Sequence, residues 1–202
     1  MRVAIVTGAA FVDSGSIEPP IEILVVCTGN ACRSPMAAAL LARRLADCGV
    51  DADVRSAGTR AWKVGATDHS VTVMVELGLD ISTHRNRQLS PDDVDAADLV
   101  LGMTRKHVKM AVARRPDAAD RTFLVGELAR LGTSLGPRAP AEPVRSWLAR
   151  VAACRPSHRP LGRAVDEVPD PVGMPIAVYR KTASRLDRDL TTVAALLAGR
   201  SL

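Results

Sequence analysis

Aromatic side chains are scarce in this chain of 202 residues, which has two Trp, two Phe and one Tyr. Proteins that bind single-stranded nucleic acid stack its bases on such rings, so nucleic acid is not expected as a partner. Long apolar runs are also lacking, since no stretch approaches the roughly eighteen residues that a membrane span requires. The hydrophobic fraction of 47% is nevertheless enough for one sizeable core of Ala, Val and Leu. We therefore expect one globular domain and no membrane partner.

Cysteine is scarce as well. The four cysteines show no paired spacing with histidine of the kind that zinc sites need, so no metal is expected. A disulfide framework is not expected in a chain of this size, and the expected compartment is the cytoplasm, where thiols stay reduced. The first twenty residues contain a short apolar piece, but its polar interruption and the lack of a small-residue cleavage pattern argue against a signal peptide. Residues 1–20 are therefore predicted to be a flexible tail that precedes the domain at 21–202.

The most informative stretch is CTGNACRSP at residues 27–35. It follows an apolar run at 21–26 and opens an apolar-periodic segment at 36–45, an order that predicts a strand, a tight loop and a helix. The start of a helix offers unpaired backbone N–H groups and the positive end of a dipole, which together bind anions. The loop is therefore predicted to hold a phosphate group.

Two side chains make this loop a candidate catalytic site. Cys27 ends the predicted strand, and the curled loop lets Arg33, six residues later, clasp an oxyanion that faces the sulfur. A helix start and an arginine favour the thiolate, which is the nucleophilic form of cysteine, and Ser34 can donate its hydroxyl to that thiolate. Gly29 or Asn30 can supply a backbone conformation with positive φ where the loop needs one. The residues predicted to bind phosphate are Thr28, Gly29, Asn30, Ala31, Cys32 and Ser34.

A second candidate lies near the C-terminus, where Asp170 precedes Pro171. An Asp-Pro pair by itself more often marks a turn. Together with the cysteine loop it favours catalysis, because displacing an oxygen from phosphorus requires a proton for the leaving group. Asp170 is predicted to donate that proton and then to activate water against the phosphocysteine.

Apolar runs alternate with helical patterns along the chain. Strands are predicted at 21–26, 52–56, 98–102 and 121–124, and helices at about 35–48, 67–77, 106–114 and 176–198. This alternation predicts a single α/β domain with a four-stranded parallel sheet, helices on both faces and the phosphate-binding loop after the first strand. Ligands of such folds bind beyond the carboxyl ends of the strands, where Cys27 falls.

An arginine-rich, proline-rich segment at about 131–165 holds six arginines against one acid, Glu142, and carries the whole formal net charge of +5. Val144, Trp147, Leu148 and Val151 recur at helical spacing in it and predict a short amphipathic helix. Two interpretations remain open: a solvated basic flap, or a surface that draws an acidic, phosphorylated protein partner towards Asp170.

In both motifs the chain resembles the low-molecular-weight protein tyrosine phosphatases and their bacterial relatives, the phosphoarginine phosphatases and the thioredoxin-coupled arsenate reductases. The resemblance runs from about residue 21 to the C-terminus, apart from the insertion at 131–165. It implies hydrolysis of phosphotyrosine in proteins through a phosphocysteine intermediate, without a cofactor. In that scheme Cys27 is the nucleophile, Arg33 the phosphate clamp and Asp170 the general acid and base.

The resemblance also implies supporting roles. Ser56, Asn30 and His84 match positions that brace the phosphate loop by hydrogen bonds. Trp62 matches a residue that flanks the substrate ring, and Val172 is the expected second wall of the substrate site.

Departures from the family pattern bear on the substrate. Tyrosine-specific members place aromatic residues after Asp-Pro, whereas this chain has Val172, and they carry a larger aliphatic residue where Ala31 stands. The stretches 103–107 and 170–180 look more like the branch that includes phosphoarginine phosphatases, in which a small polar residue at the Ala31 position favours the guanidinium substrate. Phosphotyrosine is the first hypothesis, and phosphoarginine is the alternative.

Two further hypotheses rank lower. Arsenate reduction needs additional cysteines downstream, and none lies between Cys48 and Cys154. A non-catalytic module that binds phosphate or a partner would need neither Cys27 nor Asp170. The proximity of Cys32 to Cys27 further predicts a reversible disulfide that protects the thiolate against irreversible oxidation.

Overall fold

The computed structural model describes residues 19–156 and 162–201. Its centre is a parallel sheet in the order β2-β1-β3-β4. The strands are β1 (Ile21–Cys27), β2 (Ala52–Gly58), β3 (Leu99–Gly102) and β4 (Thr122–Leu124). The α/β fold class and the four predicted strands are confirmed, with ends that differ by one or two residues.

The seven α-helices of the described residues include all five that the sequence predicts. The helices are α1 (Arg33–Asp47), α2 (Asp68–Glu76), α3 (Pro91–Ala96), α4 (Arg105–Arg114), α5 (Val125–Leu135), α6 (Val144–Ala153) and α7 (Ile176–Leu197). Only α3, α5 and two short 3₁₀ turns, Pro116–Arg121 and Ala164–Asp166, were not predicted.

Helices cover both faces of the sheet, as predicted. Along β1, Ile23 and Val25 point into the larger core, which is completed by residues of α1, α2, α5, α6 and α7. Their neighbours Leu24 and Val26 point to the opposite face, where a smaller core includes residues of α3 and α4. Because successive side chains of a strand alternate between faces, a strand buried on both sides reads as one continuous apolar run.

The segment at 131–165 is part of the main core in its described residues. Helix α6 buries Trp147, Leu148 and Val151 completely, and the Trp147 indole N–H donates to the carbonyl of Gly136 at 3.1 Å. The predicted amphipathic helix is thus present and packs its apolar stripe against the domain. A solvated flap does not describe these residues.

The arginines of α6 and its flank have partners inside the chain. Arg145 pairs with Asp98 at 2.8 Å, Arg150 pairs with Glu142 at 2.8 Å, and Arg155 pairs with the buried Glu127 at 3.0 Å. Asp98 immediately precedes β3, so the Arg145 contact lies at the end of the sheet opposite the carboxyl ends of the strands. The Arg145 side chain thus lies away from the cleft at those carboxyl ends, and the attraction of an acidic partner by the segment at 131–165 stays a prediction.

No helix among residues 19–156 and 162–201 is long and apolar enough to cross a membrane. The predicted tail at 1–20 lies, except for its last two residues, outside the described residues, so its flexibility stays a prediction. The same holds for residues 157–161 of the insertion.

Candidate active site

The loop between β1 and α1 lies at the carboxyl end of the sheet, as predicted. Its turn depends on Asn30, which has φ of 54°. Gly29 is not among the residues with positive φ, so of the two candidates only Asn30 supplies that conformation. Gly29 instead allows a close approach, because a Cβ atom placed there would lie 2.9 Å from the Trp62 indole ring.

The Cys27 thiol lies at the base of this loop and is 2% exposed. Its sulfur is 3.0 Å from the Ser34 hydroxyl oxygen. That oxygen already accepts a hydrogen bond from the Asn30 side-chain amide at 3.0 Å. The Ser34 hydroxyl hydrogen is therefore free to point at Cys27, where it stabilises a thiolate.

Hydrogen bonds fix Asn30 from three directions. Its side-chain amide also donates to Ser56 at 2.8 Å, its side-chain oxygen accepts from the Arg87 backbone at 2.8 Å, and its carbonyl lies 2.7 Å from His84 Nε2. A carbonyl only accepts, so His84 carries its proton on Nε2. Burial lowers the pKa of His84, which keeps the ring neutral. The structure thus brings together the residues that were expected to brace the loop.

Arg33 and Asp170 meet across the loop. The buried Arg33 guanidinium donates to the carbonyl of Val168 at 3.2 Å and forms a salt bridge with the Asp170 carboxylate. Its Nε is buried and makes no hydrogen bond to the described residues, which leaves this donor for an oxyanion. The clamp and the acid, 137 residues apart in sequence, are therefore adjacent in space.

The expected substrate walls lie on two different loops. Trp62 packs on Gly29 and donates its backbone N–H to the Gly29 carbonyl at 3.0 Å. Val172 follows Asp170, to which its backbone N–H donates at 3.3 Å. Trp62 and Val172 are each 38% exposed, and Met174, which was not predicted, is 49% exposed. These apolar surfaces are available for contact with a substrate.

Sequence reasoning missed His107, a buried residue of α4. The Thr104 backbone N–H donates to His107 Nδ1 at 3.1 Å, so the ring proton is on Nε2 and points to the Thr28 hydroxyl at 2.9 Å. Burial, and then the charges of Arg33 and Lys106, lower the pKa of His107 to about 4. The local signal was the pattern Thr-x-x-His at the start of a helix. This pattern indicates a helix cap, but it does not predict that the histidine contacts the phosphate loop.

Other polar groups that the sequence left unassigned also hold the loop. The Thr67 backbone N–H donates to the Ala31 carbonyl at 2.8 Å, and the Asn86 side-chain amide donates to the Gly29 carbonyl at 2.9 Å. Both hydrogen bonds tie carbonyls of the phosphate loop to neighbouring segments of the chain.

Cys32 is buried at the end of the loop, and burial is the main reason that its pKa is raised to about 12. It therefore stays a protonated thiol and does not compete with Cys27 as the nucleophile. The disulfide between Cys27 and Cys32 stays a prediction.

These groups form one reactive arrangement at the carboxyl end of the sheet. A thiol supported by a serine hydroxyl, a buried guanidinium and a carboxyl group can bind a phosphoryl group, transfer it to sulfur and supply the proton for the leaving group. Within the described part of the chain, no group of three or more His, Cys, Asp or Glu residues is arranged to hold a metal ion.

Comparisons with known proteins agree with this geometry. Residues 22–130 match the model of the family described as low molecular weight phosphotyrosine protein phosphatase. A protein-arginine-phosphatase of Geobacillus stearothermophilus is 36% identical over 169 residues, which cover 83% of this chain and 90% of that protein. A probable low molecular weight protein-tyrosine-phosphatase, EpsP of Ralstonia solanacearum, is 46% identical over 107 residues, 52% of this chain and 71% of that protein.

Solved structures show the same fold. A crystal structure of a YwlE mutant from Bacillus subtilis superposes with a TM-score of 0.66 at 28% identity, over 88% of this chain and 98% of that one. The low molecular weight protein tyrosine phosphatase from T. tengcongensis superposes with a TM-score of 0.64 at 31% identity, over 86% of this chain and 97% of that one.

Proposed function

The chain belongs to the low molecular weight phosphotyrosine protein phosphatase family, and from this membership we propose that it hydrolyses phosphotyrosine in proteins through a phosphocysteine on Cys27. The observation that carries the proposal is the convergence of Cys27, Arg33 and Asp170 at one end of the sheet. A binding module would require only the cation and the loop amides.

In the first step the Cys27 thiolate attacks phosphorus and the bond to the phenolic oxygen breaks. Asp170 gives its proton to that oxygen, so that a neutral tyrosine leaves. Arg33 and the loop N–H groups hold the remaining phosphoryl oxygens, on which charge is spread in the transition state. The Ser34 hydroxyl stabilises the thiolate before the attack.

In the second step water attacks the phosphorus of the phosphocysteine. The Asp170 carboxylate takes a proton from this water, the sulfur–phosphorus bond breaks and inorganic phosphate is released. The thiolate returns to its hydrogen bond with Ser34, and the enzyme is ready for another turnover.

Phosphoarginine in proteins is the second candidate, and it is favoured by two observations. The relative with the longest aligned stretch of those described above is named a protein-arginine-phosphatase. The position after Asp-Pro holds Val172, which offers no ring to stack on a phenyl group. In this reaction the phosphorus–nitrogen bond breaks, and Asp170 protonates the guanidine nitrogen. Against it stands Ala31, whose methyl group cannot hydrogen-bond a guanidinium.

Arsenate reduction lacks support from the positions of the remaining cysteines. Cys48 caps the far end of α1, fifteen helical residues away from the loop, and Cys154 is exposed at the end of α6. A helix of that length spans roughly 22 Å, so the Cys48 thiol is not placed to attack an adduct on Cys27.

The substrate is a phosphorylated protein, and we place its dephosphorylation in the cytoplasm because a thiolate nucleophile requires a reducing compartment. An acidic partner at the 131–165 insertion is not part of the proposal. Arg145, Arg150 and Arg155 already pair with carboxylates of this chain.

The test compares hydrolysis of a phosphotyrosine peptide and a phosphoarginine peptide of matched sequence at about pH 7. Cys27→Ser should abolish turnover, and Asp170→Ala should lower kcat by about 100-fold, the size of a general acid–base contribution. Cys154→Ser is the matched control and should have no effect. Faster hydrolysis of the phosphoarginine peptide would support the second candidate function. If neither peptide is hydrolysed, both candidate functions are wrong.

A further inference from the structure

Two exposed loops, at residues 59–67 and 82–88, border the phosphate loop on its outer side. The first is attached through backbone hydrogen bonds from Arg60 to the Thr28 carbonyl at 2.9 Å and from Trp62 to the Gly29 carbonyl at 3.0 Å. The second is attached through the Asn86 side chain, which donates to the Gly29 carbonyl at 2.9 Å. Both loops are therefore held in fixed positions next to the phosphate loop.

These two loops carry exposed cations that lack carboxylate partners in the described part of the chain. Arg60, Lys63 and Arg85 form no ion pair there, and the Arg85 guanidinium donates only to two backbone carbonyls of its own loop. Nearby arginines behave differently: Arg87 pairs with Asp93 at 2.6 Å, and Arg105 pairs with Glu167 at 2.8 Å.

An open groove of about 430 Å³ lies between the two loops, with Lys63 and Arg85 among its lining residues. Asn86, which holds Gly29, also lines it, so the groove leads up to the phosphate loop. Val64 lines it as well and is 69% exposed, which adds an apolar contact surface. The groove is thus basic and partly apolar, and it adjoins the outer side of the phosphate loop.

We propose that this groove binds acidic side chains of the substrate protein next to its phosphorylated residue, and that it selects phosphorylation sites in Asp- and Glu-rich segments. The inference rests on the proposed function, because it names the class of protein that the same site accepts. Its basis is charge complementarity: unpaired cations beside a phosphate site attract carboxylates, and attraction between exposed charges is screened by salt.

The groove variant Lys63→Gln/Arg85→Gln tests this selection. Its matched control is Arg145→Gln/Arg150→Gln, which removes the same charge from positions outside the groove. Two phosphotyrosine peptides are compared, one with glutamates and one with glutamines around the phosphorylated residue. Peptide binding is measured by fluorescence anisotropy in the Cys27→Ser background, and kcat and KM are measured with Cys27 present.

For the groove variant, we expect the Kd and KM of the acidic peptide to rise about tenfold at low salt, with kcat unchanged. The glutamine peptide, a small aryl phosphate and the control variant should each change less than twofold. About 0.5 M salt should reduce the difference between the two peptides, because the Debye length falls to a few ångströms.

Different results overturn the two claims. If the native chain hydrolyses no phosphate compound, the proposed function fails, whereas the anisotropy data still report whether the groove selects acidic peptides. If the groove variant keeps that preference, or if the control variant loses it equally, the inference is wrong. It is also wrong if a single-stranded oligonucleotide displaces the acidic peptide and itself binds more tightly to the groove, since the ligand is then nucleic acid.

Discussion

At the scale of single residues, hydrogen bonds fix the protonation of the two histidines that contact the phosphate loop. His84 donates from Nε2 to the Asn30 carbonyl, and His107 donates from Nε2 to the Thr28 hydroxyl. Both rings are neutral, so each positions the loop without adding charge beside the phosphate. A charged His107 would require a new arrangement of donors and acceptors, because its Nδ1 already accepts the Thr104 backbone N–H.

His107 makes the stability of the protein depend on pH. Its folded-state pKa is about 4, below the ordinary value of 6.5, so the unfolded chain binds the proton more tightly. We expect the free energy of unfolding to be fully retained above about pH 6.5 and to fall as the pH decreases towards about 4. Urea titrations of the native chain and of His107→Gln across this range measure the difference, which the variant should largely lose. Equal slopes in both proteins would contradict the prediction.

The residues of this site were predictable from sequence to different degrees. Cys27, Asn30, Arg33 and Ser34 lie within one short motif, so local spacing fixed their chemistry. His107 was missed because its contact with the loop spans 79 positions in the chain. A local sequence pattern cannot indicate a contact between residues so far apart in the chain.

At the scale of elements, the segment that ends in Asp170 is attached to three different parts of the fold. Asp166 pairs with Arg130 of α5 through two hydrogen bonds of 3.1 and 2.7 Å. Glu167 pairs with Arg105 of α4, and the Val168 backbone N–H donates to the Met103 carbonyl at 2.8 Å. These attachments set the position of the proposed acid relative to Cys27.

Asp166→Asn should weaken this attachment. The buried carboxylate is replaced by a neutral amide, so we expect a loss of about 1–3 kcal/mol in stability and a larger fall in kcat than rise in KM. The rate at which iodoacetate alkylates Cys27 should stay unchanged, because the thiol and its loop are not altered. Asp53→Asn, in an exposed pair with Arg55, is the control and should change stability by less than about 1 kcal/mol. A fall in alkylation rate with Asp166→Asn would show that the whole site had moved.

Strands β1 and β3 were predictable as apolar runs, and β2 from apolar residues that alternate with polar ones. The helices α1, α2, α4, α6 and α7 were predictable because their apolar residues recur with helical spacing. Helix α3 has only six residues and one buried side chain, Val94, so it shows no period. Helix α5 begins directly after β4, and the apolar residues of the two elements merge into one run.

At the scale of the whole molecule, the insertion stabilises the fold. Trp147 is fully buried in the main core, so Trp147→Ala should lower the free energy of unfolding by about 3–5 kcal/mol. The kcat of the remaining folded protein should be unchanged. The chain's other tryptophan supplies the control: Trp62→Ala, at a half-buried site beside the loop, should cost less than about 1 kcal/mol but raise KM. Chemical denaturation followed by circular dichroism measures both, and a cost below 1 kcal/mol for Trp147→Ala would contradict the role in the core.

The sequence could not predict which residues pair with the arginines of the insertion. A residue count shows six arginines and one acid, but the partners of Arg145 and Arg155 are Asp98 and Glu127, which lie outside the segment. Tertiary packing decides which residues form these ion pairs. The net charge of a segment therefore does not show how many of its charged side chains remain unpaired at the surface.

The salt bridge between Arg33 and Asp170 has a consequence for the timing of the proposed reaction. A phosphate dianion binds the same guanidinium, so its arrival separates the carboxylate from its cation and places two negative groups side by side. Repulsion between the two anions keeps the carboxylate away from the guanidinium while the loop is occupied, and the departing phosphate lets the ion pair form again. The buried guanidinium thus keeps an anionic partner at every stage of the proposed cycle, which avoids the cost of an unpaired buried charge.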